Sequence, residues 1–186
     1  MLNSFFDKFI FTSTLTYKHN NFFLVNMPFV ILPVQVLARI AEKGDKDLNN
    51  ELYFAVKDSL KTSLRKELQI DFGVEGDKGL EFMEAFFTAS GWGKIERADL
   101  DFEKGHAIVS VSNSIVAAQC QGVKAPVDTF LRGFLAGIFS TYFKKDVDCV
   151  ETKCVALNEQ HCEFVIKPLA EFNFEHKVSR DQLKVE

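Results

Sequence analysis

The sequence predicts an α+β domain in which an antiparallel sheet packs against helices. Two observations predict this class: three short strand pairs with alternating side chains, and long helical segments between them. The chain has 186 residues, of which 47% are hydrophobic and 26% charged, and this composition suits one folded domain with a substantial core. The order of hairpin, helices, hairpin, helix and hairpin therefore favours an antiparallel sheet covered on one side by helices.

The N-terminal part predicts a hairpin followed by two helices. Residues 5–25 alternate roughly between apolar and polar around the turn sequence KHNN, which is typical of a β-hairpin. The segment LPVQVLARIAEKG predicts a helix with Pro33 in its first turn and Gly44 just past its end. The next helix is expected to begin with Asp47 as its N-cap. Its apolar residues recur at every fourth position and fit either core packing or a dimer contact: Leu48, Leu52, Val56, Leu60, Leu64 and Leu68.

The most apolar stretch covers residues 22–41, but Pro28 and Pro33 interrupt it. We therefore expect a buried strand followed by a helix, and no membrane span. The start of the chain lacks the pattern of a secretory signal, so we expect a cytoplasmic protein. The formal net charge is −4 and the basic residues do not cluster, so direct binding to nucleic acid is not expected.

The middle of the chain predicts a short helix and a second hairpin. Residues 80–91 form an amphipathic pattern rich in phenylalanine. Residues 95–102 and 106–111 alternate on either side of the sequence EKG, which predicts a hairpin. His106 lies at the turn of this hairpin, where we expect a solvated side chain rather than a ligand.

The C-terminal part predicts an apolar helix and a third hairpin. The helix covers residues 126–143 and carries Gly133 and Gly137 on one side. Because glycine costs about 1 kcal/mol relative to alanine inside a helix, either another element or a ligand must approach the backbone there. The third hairpin pairs residues 147–155 with residues 162–166.

This third hairpin holds three of the four cysteines, and the residues alone leave three interpretations open. Cys154 and Cys162 could lie opposite each other and form a disulfide. The cysteines could instead be buried free thiols, which is what we expect for Cys149 and for the separate Cys120. Alternatively, Glu151, Cys154 and Cys162 could bind zinc with a fourth ligand from elsewhere in the chain.

The runs SNSIVAAQ, APVDTFLRGFLAGIFS and VETKCVALNEQHCEFVI resemble the 4-vinyl-reductase domain family in their order and spacing. The resemblance covers residues 80–168 and implies that residues 1–79 are the N-terminal strands and helices of the same domain. Residues 1–170 are thus expected to form a single domain, and the charged tail of residues 171–186 is predicted to fray. The resemblance implies a fold similar to the transport-particle subunits of vesicle tethering, which enclose an apolar pocket and often dimerise.

In the aromatic-sensing members of this family, four residues hold a zinc ion. Matched position by position, they fall on Asp128, Glu151, Cys154 and Cys162, with His161 a neighbour rather than a ligand. The family has a cysteine where this chain has Asp128, and a carboxylate can replace a thiolate on zinc. The resemblance therefore implies a structural zinc site, because four protein ligands leave no open position for catalysis.

The family resemblance and the many aromatic residues imply a non-catalytic homodimer that binds a small hydrophobic or aromatic molecule. Trp92, Phe130 and Phe134 are the candidates for the wall of its pocket. One alternative is a role in tetrapyrrole vinyl reduction, although the sequence shows no dinucleotide, flavin or iron–sulfur motif. The other alternative is a dimeric interaction scaffold.

Overall fold

Two antiparallel sheets and four α-helices form the part of the chain that the computed structural model describes, which is residues 15–24, 27–70, 84, 87–88 and 90–183. In chain order the elements are β1 (Leu15–Lys18), β2 (Asn21–Leu24), β3 (Met27–Phe29), α1 (Val34–Lys43), α2 (Lys46–Ile70), β4 (Lys94–Asp101), β5 (His106–Ser112), α3 (Thr129–Tyr142), β6 (Asp148–Lys153), β7 (Cys162–Lys167) and α4 (Lys177–Gln182). Short 3-10 turns cover Ala117–Gln119, Val155–Leu157 and Leu169–Glu171. The predicted α+β class is therefore confirmed.

The N-terminal hairpin is confirmed in its described part. β1 pairs with β2 across His19 and Asn20, both of which have a positive φ. Asparagine and histidine tolerate this left-handed conformation better than most residues, which suits the sequence KHNN to a tight turn. β3 pairs with β2 and completes a three-stranded sheet. The prediction for residues 5–14 lies outside the described residues.

The apolar stretch before α1 is not buried in this chain. Val30 is 81% exposed and Ile31 is 74% exposed, so the prediction of a buried strand is wrong at these positions. They lie between the end of β3 and Pro33, which is the N-cap residue of α1 rather than part of its first turn as predicted. Among the described residues, no helix is both long enough and apolar enough to cross a membrane.

The N-cap of α2 is Asp45 rather than Asp47. Its carboxylate oxygen Oδ1 accepts the backbone N–H of Leu48 at 2.8 Å, which satisfies one of the free donors in the first turn. Asp47 lies inside the first turn of the helix. The sequence offered two aspartates two residues apart, and the cap is the earlier one.

The buried face of α2 is centred on Tyr53, Val56 and Lys57, and of these only Val56 belongs to the four-residue ladder. Leu48, the first residue of that ladder, is 50% exposed. A helix has 3.6 residues per turn, so a strict four-residue repeat drifts around its surface and only its middle faces the core. The side chains of Leu64 and Leu68 lie outside the described residues.

The predicted apolar helix is confirmed as α3, and α2 is the element that approaches its glycines. A Cβ atom added to Gly133 would lie 2.6 Å from the carbonyl oxygen of Tyr53. A Cβ atom added to Gly137 would lie 2.7 Å from the carbonyl oxygen of Lys57. The two glycines therefore allow the backbones of α2 and α3 to pack closely together, and no ligand is needed to explain them.

The four-stranded sheet has the order β4-β5-β7-β6, which confirms the second and third predicted hairpins. Its inner face is apolar and buried, and consists mainly of Ala107, Val109, Val111, Cys162, Phe164 and Ile166. β6 forms one edge of the sheet, and its register with β7 places Glu151 opposite Phe164 on this same inner face. The sheet thus holds a carboxylate against the core.

The segment of residues 80–91 and His106 were also the subject of predictions. The helix predicted for residues 80–91 lies largely outside the described residues, although Phe87 is helical and buried. His106 begins β5, is about one-third exposed and hydrogen-bonds to Glu171.

The end of the chain does not fray through residue 183. After the 3-10 turn at Leu169–Glu171, α4 packs against β6, and Leu183 is only 2% exposed. Specific hydrogen bonds attach this helix, although its composition is charged. The predicted fraying is therefore wrong for residues 172–183.

Candidate metal centre

Four buried side chains with oxygen or sulfur donors meet between α3 and the β6–β7 hairpin. Asp128 immediately precedes α3, Glu151 lies in β6, Cys154 follows β6 and Cys162 begins β7. Their potential ligand atoms all lie within 4.8 Å of one another, and no residue of the four is more than 1% exposed. The structure therefore brings together all four predicted ligands in a compact group that could hold a metal ion.

Local irregularities in the backbone aim these side chains at one point. The pairing of β6 with β7 shifts register between Glu151 and Lys153. Cys154 then leaves the strand, and the chain turns through Val155–Leu157. The N–H of Val155 donates to the sulfur of Cys162 at 3.4 Å, which holds the two ends of the hairpin together. The bulge thus places Cys154 beside Cys162.

Each carboxylate of the cluster uses one oxygen for a protein hydrogen bond and keeps the other free. The hydroxyl of Ser114 donates to Asp128 Oδ2 at 2.7 Å, and the backbone N–H of Asp128 donates to Glu151 Oε2 at 2.9 Å. Asp128 Oδ1 and Glu151 Oε1 are buried and have no hydrogen-bond partner among the described residues. An unsatisfied buried acceptor costs about 1–3 kcal/mol. Together with two thiols, these oxygens are a donor set that fits zinc.

Burial shifts the pKa values of the two carboxyls in the direction that a metal ion would reverse. Burial raises the pKa of Asp128 to about 6. Burial, followed by the nearby charge of Asp128, raises the pKa of Glu151 well above its ordinary value. A cation in the cluster would favour the ionised forms of both, so metal binding should release protons.

The two thiols of the cluster have unequal pKa values because they hydrogen-bond to each other. The bond from Cys162 lowers the pKa of Cys154 to about 6. The same bond, followed by burial, raises the pKa of Cys162. Metal binding, which requires both sulfurs as thiolates, should therefore release a proton from this pair of thiols.

Without metal, the stability that the protonated Asp128 carboxyl contributes should fall as the pH rises through its pKa. The folded pKa of about 6 lies above the ordinary value of 3.8, so between these values the folded state binds the extra proton. The gap corresponds to roughly 3 kcal/mol at most. Urea unfolding in the presence of a chelator, at about pH 5 and about pH 8, measures this effect. Between these two pH values wild type should lose more stability, or gain less, than Asp128→Asn, and an equal change in both proteins would contradict the assignment.

The structure also reveals a buried cation that the sequence analysis did not single out. Arg132 lies one turn after Asp128 in α3 and is 4% exposed. Its Nε donates to the carbonyl oxygen of Cys149 at 3.0 Å, and its Nη2 donates to the carbonyl oxygen of Gln182 at 2.6 Å. The guanidinium carbon lies 4.7 Å from the centre of the Tyr53 ring. An arginine in an otherwise apolar helix was the available signal.

A second buried polar group joins α2 to β6. Asp148 accepts the hydroxyl of Tyr53 at 2.7 Å and the ammonium of Lys57 at 2.8 Å. Both Lys57 and Asp148 are less than a tenth exposed, so the pair is desolvated on both sides. A buried pair of this kind is costly to break on one side only. It fixes the position of β6 relative to the helices that cover the sheet.

The three aromatic residues proposed for a pocket wall contact one another. Trp92 stacks on Phe130 with ring centres 4.6 Å apart, and its ring centre lies 6.1 Å from that of Phe134. Phe134 lines a cavity of about 10 Å³ between α3 and β4, which is about the size of one water molecule. Their role as a pocket wall stays a prediction.

A larger cleft, of about 700 Å³, lies beside the metal cluster. Ser114, which bonds to Asp128, belongs to its lining, together with the 3-10 turns at Ala117–Gln119 and Val155–Leu157. The rest of its lining is uncharged and partly polar and does not include Trp92, Phe130 or Phe134. This cleft is therefore separate from the predicted aromatic wall.

All four cysteines are free thiols in this structure. Cys149 and Cys120 are buried core residues outside the cluster, as predicted. Burial raises the pKa of Cys120 to about 11, so this thiol stays protonated at neutral pH. His161 is half-buried and is not a member of the cluster, which agrees with its prediction as a neighbour.

The family model of the 4-vinyl-reductase domain matches residues 107–168. The matched segment contains nearly all of β5 and the whole of α3, β6 and β7, and therefore all four residues of the cluster. No curated protein matches the chain.

Solved structures resemble the whole chain more broadly. The phenol-responsive sensory domain of the transcription activator PoxR, solved with phenol, is 17% identical, with a TM-score of 0.73 over 97% of this chain and 96% of that one. A trafficking protein particle complex subunit 3 from Naegleria fowleri, covalently bound to palmitic acid, is 13% identical, with a TM-score of 0.50 over 72% and 93%. A vinyl-4-reductase family protein from Methanocaldococcus jannaschii is 17% identical, with a TM-score of 0.49 over 75% and 83%. The first two likenesses confirm the predicted transport-particle-like fold.

Proposed function

We propose that this chain is a binding or sensor domain for a small hydrophobic or aromatic molecule and contains a structural zinc ion. The main support for a zinc ion is the pair of buried oxygens on Asp128 and Glu151 that have no partner among the described residues. They lie close to the thiols of Cys154 and Cys162. The likeness to a phenol-responsive sensory domain over 97% of the chain supports the ligand class.

The proposed zinc is structural rather than catalytic. When bound, it supplies a cross-link between the start of α3 and the β6–β7 hairpin. The chain orients its own ligands for this purpose through the bonds of Ser114 to Asp128 and of Asp128 to Glu151. All four positions would be filled by protein atoms, so no position remains for a reacting water. Free buried thiols also suit a reducing compartment such as the cytoplasm, which we propose as the location.

The aromatic cluster of Trp92, Phe130 and Phe134 is the proposed site of ligand binding. Its neighbouring cavity of about 10 Å³ is far below the volume of a phenol-sized molecule. Binding must therefore displace side chains around Phe134. Such a displacement would move rings that stack on Trp92, which is the chain's single tryptophan.

The exposed apolar stretch before α1 supports the proposed homodimer. Val30, Ile31 and Leu32 are 81%, 74% and 48% exposed, and Val36 continues this surface at 43%. Contiguous exposed apolar side chains are typical of protein–protein contacts. A second copy of the chain would remove them from water.

Native mass spectrometry with added phenol tests this proposal, because it reports subunit number, metal and ligand together. We expect a dimer with one zinc per chain that gains phenol, and a change in Trp92 fluorescence at the same phenol concentrations. Phe130→Ala removes the ring stacked on Trp92 and should weaken phenol binding without removing zinc. If phenol and other apolar compounds leave both the mass and the fluorescence unchanged, the binding function is wrong.

The 4-vinyl-reductase match also supports the alternative of a role in tetrapyrrole vinyl reduction. The two functions differ in an easily observed property. A protein that handles tetrapyrroles should bind an added porphyrin and show its visible absorbance after gel filtration. Co-elution of porphyrin with no response to phenol would favour this alternative.

A further inference from the structure

Gln182, at the end of α4, hydrogen-bonds to both the backbone N–H and the backbone carbonyl oxygen of Glu151, a proposed zinc ligand. Its Oε1 accepts the backbone N–H of Glu151 at 2.9 Å, and its Nε2 donates to the carbonyl oxygen of Glu151 at 2.8 Å. β6 is an edge strand, so this carboxamide occupies the place that a neighbouring strand would take. The backbone of Glu151 is thus held from outside the sheet while its side chain points into the metal cluster.

The same residue is also held by α3. The carbonyl oxygen of Gln182 accepts Nη2 of Arg132 at 2.6 Å. Arg132 lies four residues after Asp128, one turn along the helix that carries this other carboxylate. Gln182 and Arg132 are each less than a tenth exposed, so all three bonds are shielded from water.

Gln182 and the metal would therefore bridge the same two elements from opposite sides. The metal would join Asp128 at the start of α3 to Glu151 in β6. Gln182 joins Arg132 of α3 to the backbone of Glu151. We propose that Gln182 couples the docking of α4 to metal binding, so that loading the cluster tightens α4 and releasing α4 loosens the metal. This inference rests on the zinc site of the proposed function.

The coupling must be reciprocal. The free energy by which bound metal strengthens the docking of α4 equals the free energy by which docked α4 strengthens metal binding. If the metal fixes the spacing of α3 and β6, α4 docks onto a surface that is already ordered and loses less entropy in doing so. By the same amount, a docked α4 holds Glu151 and Arg132 in place before the metal arrives. Substitution of residues that support metal ligands typically weakens metal binding about 10–100-fold.

A second contact of α4 provides a matched control. Asp181 pairs with Lys46 at 2.6 Å, which docks the helix onto α2 rather than onto the strand of the cluster. This pair is substantially exposed and contributes little to stability. Asp181→Asn therefore disturbs the same helix at the neighbouring residue without touching Glu151.

The experiment compares wild type, Gln182→Met and Asp181→Asn. Methionine keeps the length of the side chain and removes both bonds to Glu151. Zinc affinity is measured by competition with a chromophoric chelator, and the docking of α4 by hydrogen exchange of residues 177–183 with and without zinc. We expect Gln182→Met to bind zinc at least about tenfold more weakly, and Asp181→Asn to match wild type. Zinc should slow exchange of residues 177–183 in wild type and Asp181→Asn, but not in Gln182→Met.

The outcomes separate this inference from the zinc site itself. If wild type binds zinc, but Gln182→Met binds it equally tightly and exchange in α4 does not respond, the coupling is wrong while the zinc site stands. If wild type binds no zinc, the zinc proposal fails and the coupling fails with it, because there is then no metal to which α4 could respond.

Discussion

Replacing Cys154 with serine is expected to remove the zinc and to lower the melting temperature by about 10 °C. Serine offers a hydroxyl in place of the thiolate and leaves a single sulfur in the cluster. A ligand present at about a thousand times its dissociation constant stabilises a fold by about 4 kcal/mol. In a protein of this size, each kcal/mol shifts the melting temperature by roughly 2–4 °C.

The matched control for this variant is Cys120→Ser. Cys120 is also a buried thiol, but it lies outside the cluster and donates to the carbonyl oxygen of Val116 at 3.4 Å, which a serine hydroxyl can also do. The control should keep one zinc per chain by elemental analysis and melt close to wild type. Two results would contradict the structural role: full zinc content in Cys154→Ser, or equal melting temperatures for wild type with and without chelator.

The residues of the candidate site were predictable to different degrees. The hairpin alone suggests Glu151, Cys154 and Cys162, because they are close in sequence and lie on the two arms of one hairpin. Asp128 lies 23 residues before Glu151, and spacing within one chain does not show which distant carboxylate faces the hairpin. The family resemblance identified it, and the structure places it among the other three.

The supporting residues could not be predicted because their partners are distant in sequence. Ser114 bonds across 14 residues to Asp128, and Gln182 bonds across 31 residues to Glu151. The C-terminal segment is charged, so its composition suggested a frayed tail. Yet a few specific bonds and one buried leucine, Leu183, are enough to dock it. The composition of a segment describes its average polarity. It does not reveal docking contacts that depend on single side chains.

The fold was predictable where periodicity is strong. The hairpins followed from alternation, and α3 from its continuous apolar surface. The position of the buried face of α2 was not, because Tyr53 and Lys57 are polar residues that are buried through their bonds to Asp148. The periodicity of apolar residues does not reveal a helix face that is buried through the hydrogen bonds of polar side chains.

Replacing Gly133 or Gly137 with alanine is expected to destabilise the protein by about 2 kcal/mol, in the range typical of overpacked cores. The added Cβ would lie 2.6 Å from the carbonyl oxygen of Tyr53 in the first case and 2.7 Å from that of Lys57 in the second. Both neighbours are backbone atoms, so α2 must move as a whole. Its movement would strain the bonds of Tyr53 and Lys57 to Asp148.

Urea unfolding of the single variants measures the change in the free energy of unfolding. This change combines the cost of the close contact with the higher helix propensity of alanine. Alanine gains about 1 kcal/mol over glycine inside a helix, so an unconstrained glycine would give a stabilised variant, and this result would contradict the close packing. Thr141→Ala provides the control, because Thr141 is half-buried on the same helix and its hydroxyl bonds to the carbonyl oxygen of Gly137, one turn earlier. We expect that change to stay within about 0.5 kcal/mol of wild type.

The double variant Gly133→Ala, Gly137→Ala distinguishes a movement of the whole helix from two local distortions. One outward shift of α2 would relieve both contacts at once, because the two carbonyl groups belong to the same helix. The combined cost should then be smaller than the sum of the single costs by at least about 0.5 kcal/mol. Additive costs would mean that each contact is relieved separately, with α2 held in place by the buried bonds between Lys57, Tyr53 and Asp148.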